Sequence, residues 1–413
     1  MTMNEKLNPA HSPVRFDAAA SGPMQGVRVI DVSRLVAGNM LSLQLADFGA
    51  DVIKVEPPGG DPLRHWQNRG ESLHWKTYGR NKRSVVLNVR QQADKDILER
   101  LIDKADVFIE NYRPGTLEKM GLSPDVLLGR NPDLIIVRIS GFGQTGPYAK
   151  LPGFGTLVEA MSGFAARTGF PDREPVLPPL ALADMIAGLY GVSAVSMALL
   201  AKKQGRIQGQ VIDLSLLESI FSVLGPEAAI YNTTGAVKER SGSASNTTAP
   251  RNVYACADGK YVALSGSTQG VAQRIFQTIG RDDMNHDPRF MSNTDRVRNR
   301  SLVDEALGAW FIQHTRDEAL SIMRSAGATV GPVYDIADAA VDSHFLERGV
   351  FVDVEDQDLG SVAMHNIVPR LSGTPGVWRR PAPRLGEHTE AVLREAGIAE
   401  EHIQSILSYG GAA

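Results

Sequence analysis

The chain has 413 residues, a formal net charge of −4, and 43% hydrophobic and 22% charged residues, which is the composition of a globular protein. This length suits about two or three domains or one large α/β enzyme, and it buries a full core without disulfides. The single cysteine, Cys256, excludes an internal disulfide framework and a CxxC zinc site, and it favours a cytoplasmic location. The slightly acidic balance argues against nucleic-acid binding, and no apolar run is long enough to predict a transmembrane span.

The first half of the chain alternates short β-branched runs with helical stretches, after a segment (1–22) that lacks a signal-peptide centre and is predicted to be a mobile tail. The alternation predicts parallel strands joined by right-handed helical crossovers. The predicted strands are VRVIDV (27–32), ADVIKVE (50–56), SVVLNV (84–89), DVFIEN (106–111) and DLIIVRIS (133–140). The predicted helices are NMLSLQLADFG (39–49), DKDILERLIDKA (94–105) and ALADMIAGLYGVSAVSMALLAKK (181–203), and GQVIDLSLLESIFSVL (209–224) is a strand followed by a helix.

A smaller α+β domain is predicted over 227–336, including its linker. It begins with a polar stretch without periodicity, and two strands then flank Asp258-Gly259, a pair typical of hairpin turns. Three helical segments follow. Residues 337–413 are too few for a separate domain and are predicted to complete the large domain of 23–226. The fold class is therefore α/β, with one large and one small domain.

Several enzyme motifs are absent from the sequence. There is no GxxxxGK[ST], no GxSxG and no HExxH, and the nine histidines are scattered, so we expect no metal site. Glu56 ends the second strand near the spacing of a ribose-binding acid, but the turn 33–38 has a single glycine, which argues against a nicotinamide site. The free N–H groups of such a turn still suit an anion or a nucleotide.

Asp184 is the strongest catalytic candidate. It lies near the start of a long helix with small residues after it, where the helix dipole favours the charged carboxylate and a bulky group has room to approach. Such a carboxylate can act as a nucleophile. From this residue alone, a role as the N-cap of its own helix is the more common interpretation.

Cationic residues are concentrated in the first third of the chain, where several follow predicted strands. Open α/β sheets bind ligands at this edge, and a phosphate-rich ligand suits such residues, although solvated surface charge explains most of them equally well. The set comprises Arg34, Arg80, Lys82, Arg83, Arg90, Arg113 and Lys119.

From about Gly26 to about Gly397 the sequence resembles the class III coenzyme A transferases of the CaiB/BaiF type. This group includes formyl-CoA and carnitinyl-CoA transferases and, as a relative, alpha-methylacyl-CoA racemase. The segments that carry the resemblance are GVRVIDVSRLVAG, GADVIKVEPPGGDPLR, GRNKRSVVLNV, ADVFIENYRPGTLEKMGL, SGFGQTGPY, ADMIAGLYG, DGKYVALSG and PAPRLGEHT.

The resemblance implies a Rossmann-like large domain, an interlocked homodimer, and acyl-CoA and a carboxylic acid as substrates, with no tightly bound cofactor. It implies that Asp184 attacks the thioester to give an acyl–aspartyl anhydride, and that CoA thiolate then converts the anhydride into an aspartyl-CoA thioester. An incoming acid takes CoA from that thioester. The CoA contacts implied at matching positions are Arg34, Val36, Ala37, Leu87, Arg90, Asn111, Tyr112, Arg113, Lys119 and Gly153.

The sequence departs from the family pattern at several of these positions. Arg90 stands in place of a lysine and Lys119 in place of an arginine, whereas Pro57 and Gly153 replace an arginine and a lysine of formyl-CoA transferase. The loop 241–248 also lacks that enzyme's run of glycines. These differences argue against oxalate specificity. Overall the chain resembles more closely the transferases that move CoA between dicarboxylates such as succinate or glutarate, and cationic or amide residues of 246–252, including Arg251, could bind a distal carboxylate.

Two alternatives remain. A 2-methylacyl-CoA racemase needs a second acid/base, and Phe154 occupies the position of the racemase histidine, with His65 and His74 as the remaining candidates. A catalytically inactive CoA-binding protein is the other alternative, and the presence of Asp184 argues against it.

Overall fold

The computed structural model describes residues 12–409. The strands are β1 (Ser12–Pro13), β2 (Arg28–Asp31), β3 (Asp51–Glu56), β4 (Arg83–Val86), β5 (Val107–Glu110), β6 (Ile135–Ser140), β7 (Gln210–Ser215), β8 (Arg251–Ala255), β9 (Tyr261–Ser265), β10 (Thr329–Pro332), β11 (Phe351–Asp356) and β12 (Gly360–His365). The helices are α1 (Ala37–Asp47), α2 (Leu73–Tyr78), α3 (Gln92–Ile102), α4 (Thr116–Lys119), α5 (Pro124–Arg130), α6 (Gly155–Met161), α7 (Phe164–Arg167), α8 (Leu182–Lys203), α9 (Leu216–Ser222), α10 (Glu227–Thr234), α11 (Gln269–Thr278), α12 (Asn293–Arg298), α13 (Arg300–Phe311), α14 (Arg316–Ser325), α15 (Ile336–Val341), α16 (Ser343–Glu347), α17 (Thr389–Glu395) and α18 (Glu400–Tyr409). Short 3-10 helices cover Pro62–His65 and Asp282–Asn285.

Six parallel strands form the central sheet in the order β4-β3-β2-β5-β6-β7. The chain therefore runs outward from β2 to one edge, returns to β5 beside β2, and runs outward again to the other edge. This is the doubly wound order of Rossmann-like sheets, and ligands bind such sheets where the order reverses, beyond the carboxyl ends of the two central strands. The predicted α/β fold class is confirmed.

Both faces of the four inner strands are covered, and most of the apolar residues that these strands place in the two cores are valine or isoleucine. On one face, Ile30 and Phe108 belong to a core with residues of α3, α17 and α18. On the other face, Val29 and Ile109 belong to a core with residues of α1 and α8. The last part of the chain thus completes the large unit, because Leu393 and Ile403 are wholly buried in the first core.

Close packing of α8 against α1 depends on two glycines of α8. A Cβ atom on Gly188 would lie 2.7 Å from Cβ of Met40 and 2.9 Å from the carbonyl oxygen of Ala37. A Cβ atom on Gly191 would lie 2.3 Å from Cδ1 of Leu41. Since these gaps are shorter than any real Cβ contact, the helices approach each other only because both positions lack a side chain.

The same helix is, within residues 12–409, the one long and apolar enough to cross a membrane by length and composition. About a third of its most apolar stretch (33%) is buried inside the protein. Its buried residues include Ala187, Val195 and Ala198, which belong to the core shared with α1. Packing in this core accounts for part of the apolar composition of the helix, since Leu189, Met197 and Leu200 of the same helix are about half-exposed or more.

The small unit consists of 165–177 and 226–342. Its antiparallel sheet has the order β10-β9-β8, and β8 and β9 form the hairpin predicted around Asp258-Gly259. Its core includes a stacked pair, Tyr254 and Phe311, with ring centroids 5.0 Å apart.

The units differ from the predicted boundaries in two places. Residues 165–177, predicted as part of the large domain, belong to the small unit, and the return to the large unit begins at Ser343 rather than at residue 337. The prediction of a mobile tail is wrong for residues 12–22, since β1 pairs in parallel with β11 and the amide of Asp17 donates to the carbonyl of Trp378. Residues 1–11 of that tail lie outside the described residues.

The glycine contact between α1 and α8 generates a matched pair of substitutions. We expect Gly188→Ala to lower the free energy of unfolding of the large unit by about 1–3 kcal/mol, because the new methyl group forces α1 and α8 apart. Gly308→Ala in α13 should instead stabilise its helix by up to about 1 kcal/mol, since no atom lies within 4 Å of the added Cβ. Calorimetric unfolding of both variants tests this, and equal effects of the two substitutions would contradict the packing argument.

Candidate functional site

The two loops at the reversal of strand order are tied together by one side chain. Asn111, directly after β5, accepts a hydrogen bond from the amide of Arg34 at 2.8 Å and donates its own side-chain amide to the Arg34 carbonyl at 2.7 Å. Arg34 follows β2. The two hydrogen bonds of the Asn111 side chain therefore connect the loops at the point where the backbone hydrogen bonds between β2 and β5 end. A crevice beyond β2 and β5 is thereby held open.

A buried lysine supports the turn between β2 and α1. Lys54 lies 3.1 Å from Asp61 and 3.4 Å from Asp31, and its ammonium group also donates to the carbonyl of Ser33. Burial alone would lower the pKa of Lys54, but the carboxylates of Asp31 and Asp61 outweigh it and raise that pKa. Asp61 in turn accepts the amide of Leu35 at 2.9 Å, which holds Leu35 in a left-handed conformation with φ of 61°.

Asp184 lies in the first turn of α8, but it does not cap its own helix. The N-cap residue is Ala181, and the amide that lowers the pKa of the Asp184 carboxyl from outside its own helix is that of Ala37, the first residue of α1. The N-cap residue of α1, Val36, makes no side-chain cap, so the amides at the start of α1 are free to interact with this carboxylate. The N-cap interpretation from sequence is therefore wrong for α8.

A second carboxylate takes the capping role at α8. Glu159 of α6 is only 2% exposed, and its Oε1 accepts the amide of Ala183 at 3.0 Å. Gly155 leaves the space that Asp184 uses, because a Cβ there would lie 2.4 Å from Oδ2 of Asp184, whereas Oε1 of Glu159 would be in ordinary contact at 3.8 Å. Asp184 is thus free for another role.

The pKa of Asp184 is raised to about 6, first because burial penalises the charged carboxyl and second because Glu159 repels it. Hydrogen bonds from the amides of Ala37 and of Asp184 itself act in the opposite direction. The amides at the helix starts thus favour the charged form, as expected from the sequence, but burial and Glu159 outweigh them. At neutral pH the group is a carboxylate that is more basic than an ordinary aspartate, which suits a nucleophile.

Asp184 forms part of the wall of a small cavity of about 90 Å³, called the inner cavity here. This volume admits about three water molecules. Its wall includes Leu35, Ala37, Asn111, Arg113, Phe154 and Asp184.

A larger, more open cavity of about 560 Å³ lies next to it, and Tyr112 lines both. This cationic cavity includes Arg34, Arg90, Lys95 and Lys119. In the part of the chain that the structure describes, none of the four has a carboxylate within ion-pairing distance. The Arg34 guanidinium lies 5.7 Å from the centre of the Tyr112 ring. Free cations beside an aromatic ring, at the start of α3, form a suitable surface for a nucleotide with phosphates.

The structure brings most of the sequence-predicted site residues together. Arg34, Arg90, Tyr112 and Lys119 line the cationic cavity, whereas Ala37, Asn111, Tyr112, Arg113, Gly153 and Asp184 line the inner cavity. Two of the predicted contacts line neither. Val36 packs with Leu63 and Trp75, and Leu87 is 1% exposed in the core, so each supports a cavity wall from behind.

Three of the cations identified in the sequence are structural. Arg80 is fully buried and pairs with Asp47 at 2.7 Å, and Arg83 pairs with Asp51 and also with Glu395. Lys82 is also fully buried, and burial lowers its pKa to about 7. Net charge in a sequence segment does not distinguish such buried pairs from ligand-binding groups.

No histidine lines the inner cavity among the described residues, and Phe154, 60% exposed, occupies the position of the racemase acid/base. His65 is exposed near the carbonyl of Gly59, and His74 packs against Trp66. The position that matches the racemase histidine therefore offers no group that exchanges a proton. Arg251, proposed from sequence to bind a distal carboxylate, lies in the small unit, exposed at the start of β8.

Three residues of the site were missed in the sequence: Glu159, Gly155 and Lys95. Glu159 was detectable as the one acid in an otherwise apolar helical stretch, LVEAM. Lys95 falls one turn into the helix after β4, at the ligand-binding edge of the sheet. Nothing in the local sequence indicates the role of Gly155, because the group that fills its space comes from α8.

Comparison with known proteins identifies the class. The sequence model of CoA-transferase family III matches residues 24–389. The chain belongs to CoA-transferase family III. It is 37% identical to succinyl-CoA–D-citramalate CoA-transferase of Chloroflexus aurantiacus over 386 residues, covering 92% of this chain and 96% of that protein. It is also 36% identical to succinate–glutarate CoA-transferase of Agrobacterium fabrum over 390 residues, covering 92% and 96% of the two chains.

The fold agrees with this assignment. A CaiB/BaiF family protein from Brucella suis superposes with a TM-score of 0.81 at 33% sequence identity, covering 91% of this chain and 100% of that one. The protein is thus a class III CoA-transferase, an enzyme that transfers CoA between carboxylic acids, and the two cavities at the reversal of strand order are its candidate active site.

The raised pKa of Asp184 predicts a trade-off between stability and activity. A carboxyl whose folded-state pKa exceeds its unfolded value stabilises the fold at low pH, and this contribution is lost as pH rises through about 6. We therefore expect Asp184→Asn to raise the thermal midpoint at pH 8, by the equivalent of roughly 1–2 kcal/mol, and to have little effect at pH 4.

The matched control is Asp125→Asn, an exposed aspartate in the first turn of α5, which should change the midpoint at neither pH. Differential scanning calorimetry at both pH values measures the effect. A lower midpoint for Asp184→Asn at pH 8 would show that the carboxylate stabilises the folded enzyme.

Proposed function

We propose that this enzyme moves CoA from an acyl-CoA donor, such as succinyl-CoA, to a second carboxylic acid through covalent intermediates on Asp184. The observation that carries the proposal is the position of this carboxylate. It is half-buried in the wall of the inner cavity, is released from capping its own helix, and has no cation paired with it among residues 12–409.

The reaction begins when an oxygen of Asp184 attacks the thioester carbonyl carbon. A C–O bond forms, the C–S bond breaks, and the electron pair leaves on the CoA sulfur, giving a mixed anhydride. The thiolate then attacks Cγ of Asp184, releases the donor acid as its carboxylate, and leaves an aspartyl-CoA thioester. The acceptor carboxylate attacks the same carbon, and the C–S bond breaks to give a second mixed anhydride and the CoA thiolate. The thiolate then attacks the carbonyl carbon of the acceptor in this anhydride, which gives the new acyl-CoA and releases Asp184 as its carboxylate.

The amide of Ala37 supports these steps because it favours the charged form of the carboxyl group, as its effect on the pKa of Asp184 indicates. When Cγ is attacked, negative charge develops on its oxygen, and a fixed N–H donor at this position stabilises that charge without reorganisation. The close packing of α1 on α8 holds the donor in place.

The cationic cavity suits the phosphate-bearing nucleotide of CoA, and Tyr112 links it to the inner cavity. We assign Arg34, Arg90, Lys95 and Lys119 to the phosphates, and the pantetheine arm then extends past Tyr112 toward Asp184. The volume of the inner cavity suits a short acid. The relatives named for succinate, citramalate and glutarate support a dicarboxylate as the acceptor.

The covalent mechanism predicts that Asp184→Asn abolishes CoA exchange, with a loss of at least about 10³-fold in kcat. With wild-type enzyme and succinyl-CoA, peptide mass spectrometry should find CoA on the peptide containing Asp184, and hydroxylamine should convert that residue to its hydroxamate. Dicarboxylate acceptors should give a higher kcat/KM than monocarboxylates of equal chain length.

Asp125→Asn is again the matched control and should exchange CoA at the wild-type rate. Normal exchange by Asp184→Asn would overturn the assignment of the nucleophile. Solvent deuterium entering the α-carbon of a 2-methylacyl-CoA, without exchange of CoA, would instead show racemase activity.

The cationic cavity predicts a separate effect on substrate affinity. Lys119→Glu should raise KM for the acyl-CoA on the order of tenfold and leave kcat nearly unchanged, because it reverses a charge at the nucleotide and not at the reacting carbon. The difference should shrink in high salt. Lys104→Glu, an equal charge change at an exposed position beyond the end of α3, should have the wild-type KM. An unchanged KM in Lys119→Glu would show that the phosphates bind elsewhere.

A further inference from the structure

Glu159 is an acid that the reaction as written does not use. It is almost wholly buried on α6, and the one hydrogen bond that its carboxylate makes in the described structure comes from the amide of Ala183. Because Ala183 directly precedes Asp184, this contact holds the first turn of α8. Oδ2 of Asp184 and Oε1 of Glu159 both lie within 4 Å of the position that a Cβ atom would take on Gly155, so the two carboxylates are near each other.

We propose that Glu159 is a positioning residue for acyl transfer: it anchors the start of α8, and its negative charge drives Asp184 toward the covalent intermediate. This inference rests on the function proposed above. In the free enzyme the two buried carboxylates repel each other. When Asp184 becomes an anhydride or a thioester it carries no charge, so the repulsion is lost in the intermediate and the free energy of that step falls.

Other groups around Asp184 do not supply this effect. The inner cavity places Tyr112 and Arg113 in its wall, and Tyr78 of α2 reaches Sδ of Met185 at 3.5 Å. Burial raises the pKa of both tyrosines, so they stay neutral over the working pH range. Glu159 is the one described charged group that shifts the pKa of Asp184. Of the two effects that raise this pKa, burial is the larger and the charge of Glu159 is the smaller.

The test is Glu159→Gln, since the amide oxygen of Gln still accepts the amide of Ala183 while the charge is removed. The acid limb of kcat/KM for succinyl-CoA, which follows Asp184 in the free enzyme, should move to lower pH by roughly half a unit to one unit. Activity at pH 5, relative to the plateau of the same variant, should rise about two- to fivefold. Single-turnover acylation at pH 8 should slow by about two- to fivefold, because the nucleophile is less basic.

Glu218→Gln is the matched control, because it removes an equal charge from an exposed position in the first turn of α9. Its pH profile should equal that of the wild type. If Glu159→Gln does not fold, Glu159→Asp serves the same purpose, since shortening the side chain withdraws the charge and should move the acid limb in the same direction by less.

The inference would be overturned if the acid limb of the Glu159 variant stays in place while Asp184 is still labelled by succinyl-CoA. Glu159 would then act only as a cap. Absence of label on Asp184 in the wild-type enzyme would instead overturn the proposed function. Mass spectrometry of both proteins therefore separates the two failures.

Discussion

The active-site geometry depends on how closely α1 and α8 approach each other. Gly188 and Gly191 allow the two helices to pack backbone against side chain, and this brings the free amide of Ala37 to the carboxylate of Asp184. The carboxylate of Asp184 thereby comes under the influence of an amide of α1, while the carboxylate of Glu159 accepts an amide at the start of α8. The environment of the proposed nucleophile is therefore set by α1, α6 and α8 together.

Two features of the site lower the stability of the folded protein. Leu35 is held in a left-handed conformation by Asp61, and Asp184 is charged in a half-buried place beside another acid. Such features persist only when the surroundings over-determine them. Here the surroundings are the buried ion pairs of Lys54 under the turn and the two cores on either face of the sheet.

Much of the fold could be predicted from the sequence. Buried strands appear in it as short runs rich in β-branched residues, and crossover helices appear as apolar residues at helical spacing. The strands of the central sheet lie within a few residues of their predicted bounds. Errors occurred where pairing is non-local: β1 joins β11 across more than three hundred residues, and 165–177 leave the large unit although no local signal marks the change.

The site was predictable in part. Cationic residues after the strands were visible, but Arg80, Lys82 and Arg83 form buried structural contacts, and only the fold separates them from Arg90 and Lys119. The sequence alone determined the α/β class, the ligand-binding edge of the sheet and, through family resemblance, the aspartate. Tertiary structure decided the state of that aspartate, because its pKa depends on burial and on Glu159, and both come from how α6 and α8 pack in space.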